Sequence, residues 1–178
     1  MKEIIHFEPL TTARFATYIK VGTAAYCQHY LHLWLENDAT AYLESSFTIG
    51  VLQREEQDKN SALFIINYNG QAVGILKFTI NCKLNNFSNN EALYLDKIYI
   101  LNEYSGKGIG KKVLQFVVAR AKELHKKLLW LDTMQNGPAL NFYIKNGFEI
   151  HSEKLLHYPK AIENERPMFV LIKKIEAD

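Results

Sequence analysis

Apolar and polar positions change period several times along the chain, and each change marks an element. Residues 2–7 alternate loosely and predict a short strand. From 12 to about 52 the apolar positions Ala16, Ile19, Ala24, Leu31, Trp34, Leu35 and Leu43 fall near helical spacing, with breaks expected around Gly22 and around Asn37-Asp38. The period returns to two over 62–68 and 71–82, two strands joined by the tight-turn pair Asn69-Gly70. A strand over 92–101 runs into the glycine-rich stretch YSGKGIGKK. A helix from about 108 to 127 follows, with Leu114, Val117, Val118, Ala121 and Leu124 on one face. A strand over 128–134, a short helix over about 138–146 and strands over 148–153 and 168–175 close the chain. The order β, helices, βββ, α, β, α, ββ predicts a mixed α/β sheet in one domain.

Composition narrows what such a domain does. In 178 residues, 21 basic and 19 acidic side chains leave a net charge of +2, without the basic excess of a nucleic-acid binder. With 48% apolar residues the chain can bury a core. Its longest uncharged stretch, between Lys59 and Lys77, is interrupted by Asn60, Ser61, Asn67, Asn69, Gly70 and Gln71, which predicts no membrane helix. The opening MKEIIHFEPL has acidic residues where a secretory signal needs an apolar run. Cys27 and Cys82 are isolated and wrongly spaced for zinc, as expected of a cytoplasmic protein.

The first chemical signal is Gly106-Lys107-Gly108-Ile109-Gly110, between a strand and an amphipathic helix. Glycine permits positive φ and close backbone approach, so amide N–H groups can converge on an anion at a helix N-terminus. Lys107, Lys111 and Lys112 add positive charge. A Walker A loop needs glycine at 105, where Ser105 stands, and Ser or Thr at 112. The dinucleotide fingerprint lacks its third glycine. A phosphate cradle and a flexible turn ahead of a helix both fit the cluster alone.

The second signal is NGPALNFYIKNGF, residues 136–148. Together, Ser105 to Gly110 and Asn136, Ala139, Tyr143, Gly147 and Phe148 resemble the paired motifs of the GNAT superfamily of N-acetyltransferases. Ser105 stands where that family usually carries Arg or Gln. The resemblance implies one GNAT domain over 1–178, with a mixed, mostly antiparallel sheet of about seven strands and about four helices. It implies acetyl-CoA as co-substrate, no metal, a small amine acceptor and direct acetyl transfer, and it leaves a homodimer open. Within the superfamily, Tyr94-Leu95-Asp96 and the stretch from Asn136 to Tyr143 look like spermidine/spermine N-acetyltransferases. A polyamine or diamine is therefore the first-choice acceptor, ahead of a peptide amine, a protein N-terminus or another small amine. The departure at Ser105 also keeps a non-catalytic acyl-CoA-binding module in view.

The chemistry assigns expected roles. An alkyl amine of pKa about 10.4 is unprotonated in roughly one molecule in 2,500 at pH 7, so a carboxylate or water chain must take a proton before attack. Asp96, on the strand leading into the loop, is the candidate base or the anion that holds an ammonium; an ordinary strand carboxylate beside Lys97 is the alternative. Backbone N–H groups of Ile98, Tyr99 and Ile100 suit the pantetheine amides and the carbonyl oxygen. Those of Ser105, Gly106, Lys107, Gly108, Ile109, Gly110 and Lys111 suit the pyrophosphate. The resemblance implies Tyr143 as donor to the leaving thiolate, unless it is a core ring beside Phe142 and Phe148. Asn136 and Asn141 either position the pantetheine arm or cap the helix, and Lys145 either reaches the phosphates or is solvated. His29, His32 and Glu36 share one side of a helix but match no metal-ligand spacing. His151 or His157 is an alternative base. Glu36, Asp38 and Glu44 are candidates to hold a distal ammonium, and the aromatic stripe Tyr18, Tyr26, Tyr30 and Trp34 is core or pocket wall, where as pocket wall it would suit a cation.

Overall fold

The computed structural model describes residues 4–176. Seven strands form one sheet: β1 (Ile5–Pro9), β2 (Ser61–Tyr68), β3 (Gln71–Thr79), β4 (Ala92–Ile100), β5 (Leu128–Met134), β6 (Glu149–Leu155) and β7 (Pro167–Lys174), in spatial order β1-β2-β3-β4-β5-β7-β6. Every neighbouring pair is antiparallel except β4 and β5. That parallel pair requires a crossover, which α4 (Ile109–Glu123) supplies. The remaining helices are α1 (Phe15–Tyr30), α2 (Thr40–Ser46), α3 (Ile49–Gln57) and α5 (Pro138–Lys145). The first expected strand begins at residues 2 and 3, outside the described residues.

Both faces of the sheet are covered. On one, Ile109, Val113, Leu114, Val117 and Ala121 of α4 bury against Leu93, Leu95, Leu129 and Leu131, with Phe142 and Tyr143 of α5 alongside. On the other, α1 buries Phe15, Tyr18, Val21, Gly22, Ala25 and Tyr26, the stripe of an amphipathic helix, over Ile65 and Ile75. Thr48 starts α3 by accepting a hydrogen bond from the Val51 amide at 3.3 Å. Among the described residues, no helix is long and apolar enough to cross a membrane.

The expected elements recur within a few residues, with two informative shifts. The chain does not break at Gly22, which lies inside α1; a Cβ there would stand 2.6 Å from the Phe47 ring, so the glycine sets how closely the helix approaches Phe47. The break falls at 31–39 instead, where Glu36 and Asn37 take positive φ and Trp34 bridges to Ala161. The helix expected to reach 127 stops at Glu123. His125 then takes a positive φ and the chain turns to bury Lys126, whose ammonium donates to the Asn81 side chain at 2.6 Å and the Asn90 carbonyl at 3.0 Å.

Gly22→Val tests this close approach. Overpacking against Phe47 is expected to cost about 1–3 kcal/mol in urea unfolding, whereas an unchanged midpoint would mean the helix and Phe47 are not in contact in solution.

Candidate active site

The site is built on a parting of strands. β4 and β5 pair only from Ala92 to Tyr94 against Leu128 to Trp130, yet they run on to Ile100 and Met134. From Leu95 onward the edge of β4 that faces β5 has no strand partner, and the Ile100 carbonyl accepts a hydrogen bond from His29 Nε2 at 2.9 Å. A cleft of about 570 Å³ extends from this opening to the start of α4 and is flanked by α5. It is lined by Ile98, Tyr99, Ile100, Ser105, Gly106, Gly108, Ile109, Gly110, Lys111, Asn136 and Tyr143 among the expected residues. Lys107, Asn141 and Lys145 do not line it. Lys107 lies over the Tyr68 and Tyr104 rings, and Asn141 and Lys145 are exposed on α5.

Gly106 and Gly108 both take positive φ, 75° and 73°, and α4 starts at Ile109 directly after them. Within 4 Å of where a Cβ would stand at either glycine there is nothing. Free amides at the head of a 15-residue helix therefore face open space that side chains would fill, which fits an anionic ligand such as a pyrophosphate. Gly110 instead faces Phe142, 3.1 Å from a Cβ position, and so keeps α4 and α5 close.

Tyr143 reaches the cleft from α5, with its ring against Phe142 and Phe148 at centroid distances of 5.3 and 5.5 Å. Burial, reinforced by Tyr30, raises its hydroxyl above the ordinary tyrosine range, so it keeps its proton at neutral pH. The cap of α5 is Gly137, with Pro138 at the first turn, so Asn136 does not cap the helix and faces the cleft instead.

Past Tyr143 a smaller pocket of about 110 Å³ opens on the other face of the sheet, lined by Tyr26, Tyr30, Tyr42, Tyr99, Asp96 and Asp132 among others. The tyrosines hold one another. Tyr26 stacks on Tyr42 at 4.2 Å, the Tyr42 and Tyr99 hydroxyls lie 2.6 Å apart, and Trp34 donates to the Tyr26 hydroxyl at 3.0 Å. Asp96 is the extra residue of a bulge, since Lys77 pairs with Lys97 while Phe78 pairs with Leu95. Its carboxylate meets the Lys77 ammonium at 2.7 Å and that of Lys97 at 3.3 Å, and Lys77 also binds Glu55 at 2.6 Å. Burial pushes the Asp96 carboxyl up, but the Lys97 and Lys77 charges outweigh it and hold it below the usual range. Burial lowers Lys97, only partly offset by Asp96.

Sequence reasoning missed Asp132, Tyr42, Tyr99 as a pocket wall, and His29 as a cleft residue. The candidates for a distal ammonium lie elsewhere: Glu36 and Glu44 are exposed, and Asp38 is paired with Lys160. His151 and His157 are exposed and line neither cavity. No group of three or more His, Cys, Asp or Glu side chains able to hold a metal exists among the described residues.

Comparison with known proteins agrees with this geometry. The family model described as the acetyltransferase (GNAT) family matches residues 25–148. An uncharacterised N-acetyltransferase from the pepI 3′ region of Lactobacillus delbrueckii subsp. lactis is 25% identical over 77% of this chain and 78% of that protein. The spermine/spermidine N(1)-acetyltransferase of Bacillus subtilis is 31% identical over 55% of this chain and 66% of that enzyme. Among solved structures, the PaiA N-acetyltransferase of Thermoplasma acidophilum, in complex with coenzyme A, superposes with a TM-score of 0.75 at 19% identity, over 98% of this chain and 99% of that one. The ribosomal-protein-S18-alanine N-acetyltransferase of Escherichia coli gives 0.70 at 15% identity, over 98% and 96%.

The ion pairs around Asp96 have a titration signature. A carboxyl depressed in the folded state contributes stability above its unfolded pKa of about 3.9, and that contribution is lost as pH falls through the folded value. Carbon-13 NMR of the Asp96 carboxyl is expected to give a midpoint below about 3.9, moving upward in Lys77→Met. A midpoint above that value in the unaltered protein would contradict the ion-pair cluster.

Proposed function

The chain belongs to the acetyltransferase (GNAT) family, and from that premise we propose that its acceptor is a diamine or polyamine, acetylated directly on a primary amine. Membership makes it an acetyl-CoA-dependent N-acetyltransferase; the acceptor and the residue roles are the proposal. The observation that carries it is the pocket at Tyr143, where two carboxylates and five tyrosines surround a narrow space. Such walls attract a cation by charge and by ring faces. The 31% identity to the Bacillus subtilis enzyme named for spermine and spermidine supports the same reading. In it, the whole chain, residues 1–178, acts as one domain.

Bound acetyl-CoA supplies an activated acyl group in its thioester. Around it, the amides from Ser105 to Lys111 hold the pyrophosphate, with Lys111 adding charge. Backbone groups of Ile98 and Ile100 on the open edge of β4 bind the pantetheine amides and polarise the carbonyl, whereas those of Tyr99 face β3. Asn136 contacts the pantetheine arm. Lys107 and Lys145, which do not line the cleft, are left to the outer phosphates, and Asn141, exposed on α5, has no role on the pantetheine arm. Tyr143 keeps its proton and donates a hydrogen bond to the departing sulfur; its raised pKa supports partial rather than complete transfer. For Asp96, the two paired lysines argue against the role of base and leave it as a fixed anion in the pocket wall. Ion pairing holds the Asp96 carboxyl below the usual carboxylate range, which makes it a poorer acceptor still for the proton of an ammonium. The free-base form of the amine, roughly one molecule in 2,500 at pH 7, attacks the thioester carbonyl; as the C–S bond breaks, the extra N–H proton of the adduct passes to solvent and the thiolate takes a proton up from it.

Tyr143→Phe keeps the ring in its packing. It is expected to lower kcat on the order of 10 to 10²-fold with little change in KM, and a wild-type kcat would leave the ring a structural role only. The function itself is tested by thiol release with spermidine, putrescine, a lysine-bearing peptide and a small monoamine across a salt series. The expected kcat/KM rises from monoamine to diamine to triamine and falls with added salt. A peptide or monoamine that matches spermidine, with no salt effect, would remove the polyamine reading. Absence of thiol release with every amine would favour a binding module.

A further inference from the structure

One carboxylate in the acceptor pocket is left incomplete. Asp132 stands two residues past the last pairing of β5 with β4, on the same face as Trp130. Its Oδ2 accepts from the Tyr94 hydroxyl at 3.1 Å and from the Lys154 ammonium at 2.7 Å. Its Oδ1 is buried with no hydrogen-bond partner, and the side chain is only 10% exposed. An unpaired, buried carboxylate oxygen is costly and calls for a donor. The other carboxylate, Asp96, already has two lysines. The cation on Asp132 is of another kind: Lys154 sits on the outermost strand, β6, and its side chain is 44% exposed.

The pocket also has a direction. Tyr30, Tyr99, Thr133 and Tyr143 belong to both the pocket and the large cleft, whereas Asp96 and Asp132 belong to the pocket alone. An amine reacting beside Tyr143 would send a second nitrogen toward Asp132. We infer that Asp132 anchors the ammonium group of the acceptor that is not acetylated, and that the Lys154 ammonium holds this place in the free protein. The subsite rests on the polyamine reading above and makes it specific: the acceptor carries two cationic nitrogens on a flexible aliphatic arm, and it binds by displacing a lysine of the protein.

Two measurements on wild type, Asp132→Asn and Lys154→Met test this. One is calorimetry of butane-1,4-diamine binding to the coenzyme A complex, and the other is the ratio of kcat/KM for butane-1,4-diamine to that for butylamine. Asp132→Asn is expected to lower the ratio about tenfold or more and to weaken diamine binding alike. Lys154→Met, on an exposed side chain, is expected to tighten diamine binding by about threefold or more, since a competitor has gone. An unchanged ratio in Asp132→Asn, or an equal loss with both amines, overturns the subsite. Should Asp132→Asn fail to fold, Lys154→Met decides, and unchanged or weaker diamine binding overturns it. Wild type that prefers the diamine while both variants are indifferent removes the subsite alone. Wild type with no diamine acetylation removes the polyamine reading together with it.

Discussion

Two parallel strands that begin as a pair and then separate define this molecule. β4 and β5 are joined for three residues, and beyond Tyr94 and Trp130 the backbone edge of β4 toward β5 has no strand partner, with the Ile100 carbonyl taken by His29. An unpartnered strand edge inside a sheet leaves donors and acceptors unsatisfied unless something extended binds there. Everything else is placed relative to that opening. The bulge at Asp96 bends β4, α4 begins beside the opening after two glycines in the left-handed region, and α5 carries Tyr143 to its side.

Behind the opening lies a closed set of four charges, Glu55, Lys77, Asp96 and Lys97. Charges removed from water must be paired, and here two of each sign satisfy one another and pin the bulge. This pairing makes the Asp96 carboxylate a fixed feature of the pocket and a weak base. The available negative charge shifts to Asp132, whose companion lysine is half in solvent. The pocket thus divides its acidic residues between holding the backbone in shape and facing the acceptor.

Much of this was legible locally. The strand over Leu128–Met134, the Asn69-Gly70 turn, the glycine turn into α4 and the position of Tyr143 depend on short-range period and turn chemistry, which the chain states directly. What was not legible depends on distant partners. Gly22 reads as a helix breaker until Phe47, 25 residues later, is found against it. Within LLWLDTM, Asp132 has the alternating pattern of an exposed strand carboxylate, and only the folding of Tyr94 and Lys154 around it reveals a buried one. Glu36, Asp38 and Glu44 had the right charge on the right half of the chain, but the turn at 31–39 and the Lys160 pairing take them away from the pocket.

The central claim is that the open edge of β4 and the head of α4 together receive acetyl-CoA through backbone amides. Amide hydrogen exchange, followed residue by residue with and without acetyl-CoA, tests it most directly. The account predicts strong slowing at Ile98 and Ile100 and from Gly106 to Lys111, with Tyr99, whose backbone faces β3, and with β1 and β2 unaffected. Unchanged exchange at those amides under saturating acetyl-CoA, or protection confined to other parts of the surface, would contradict it.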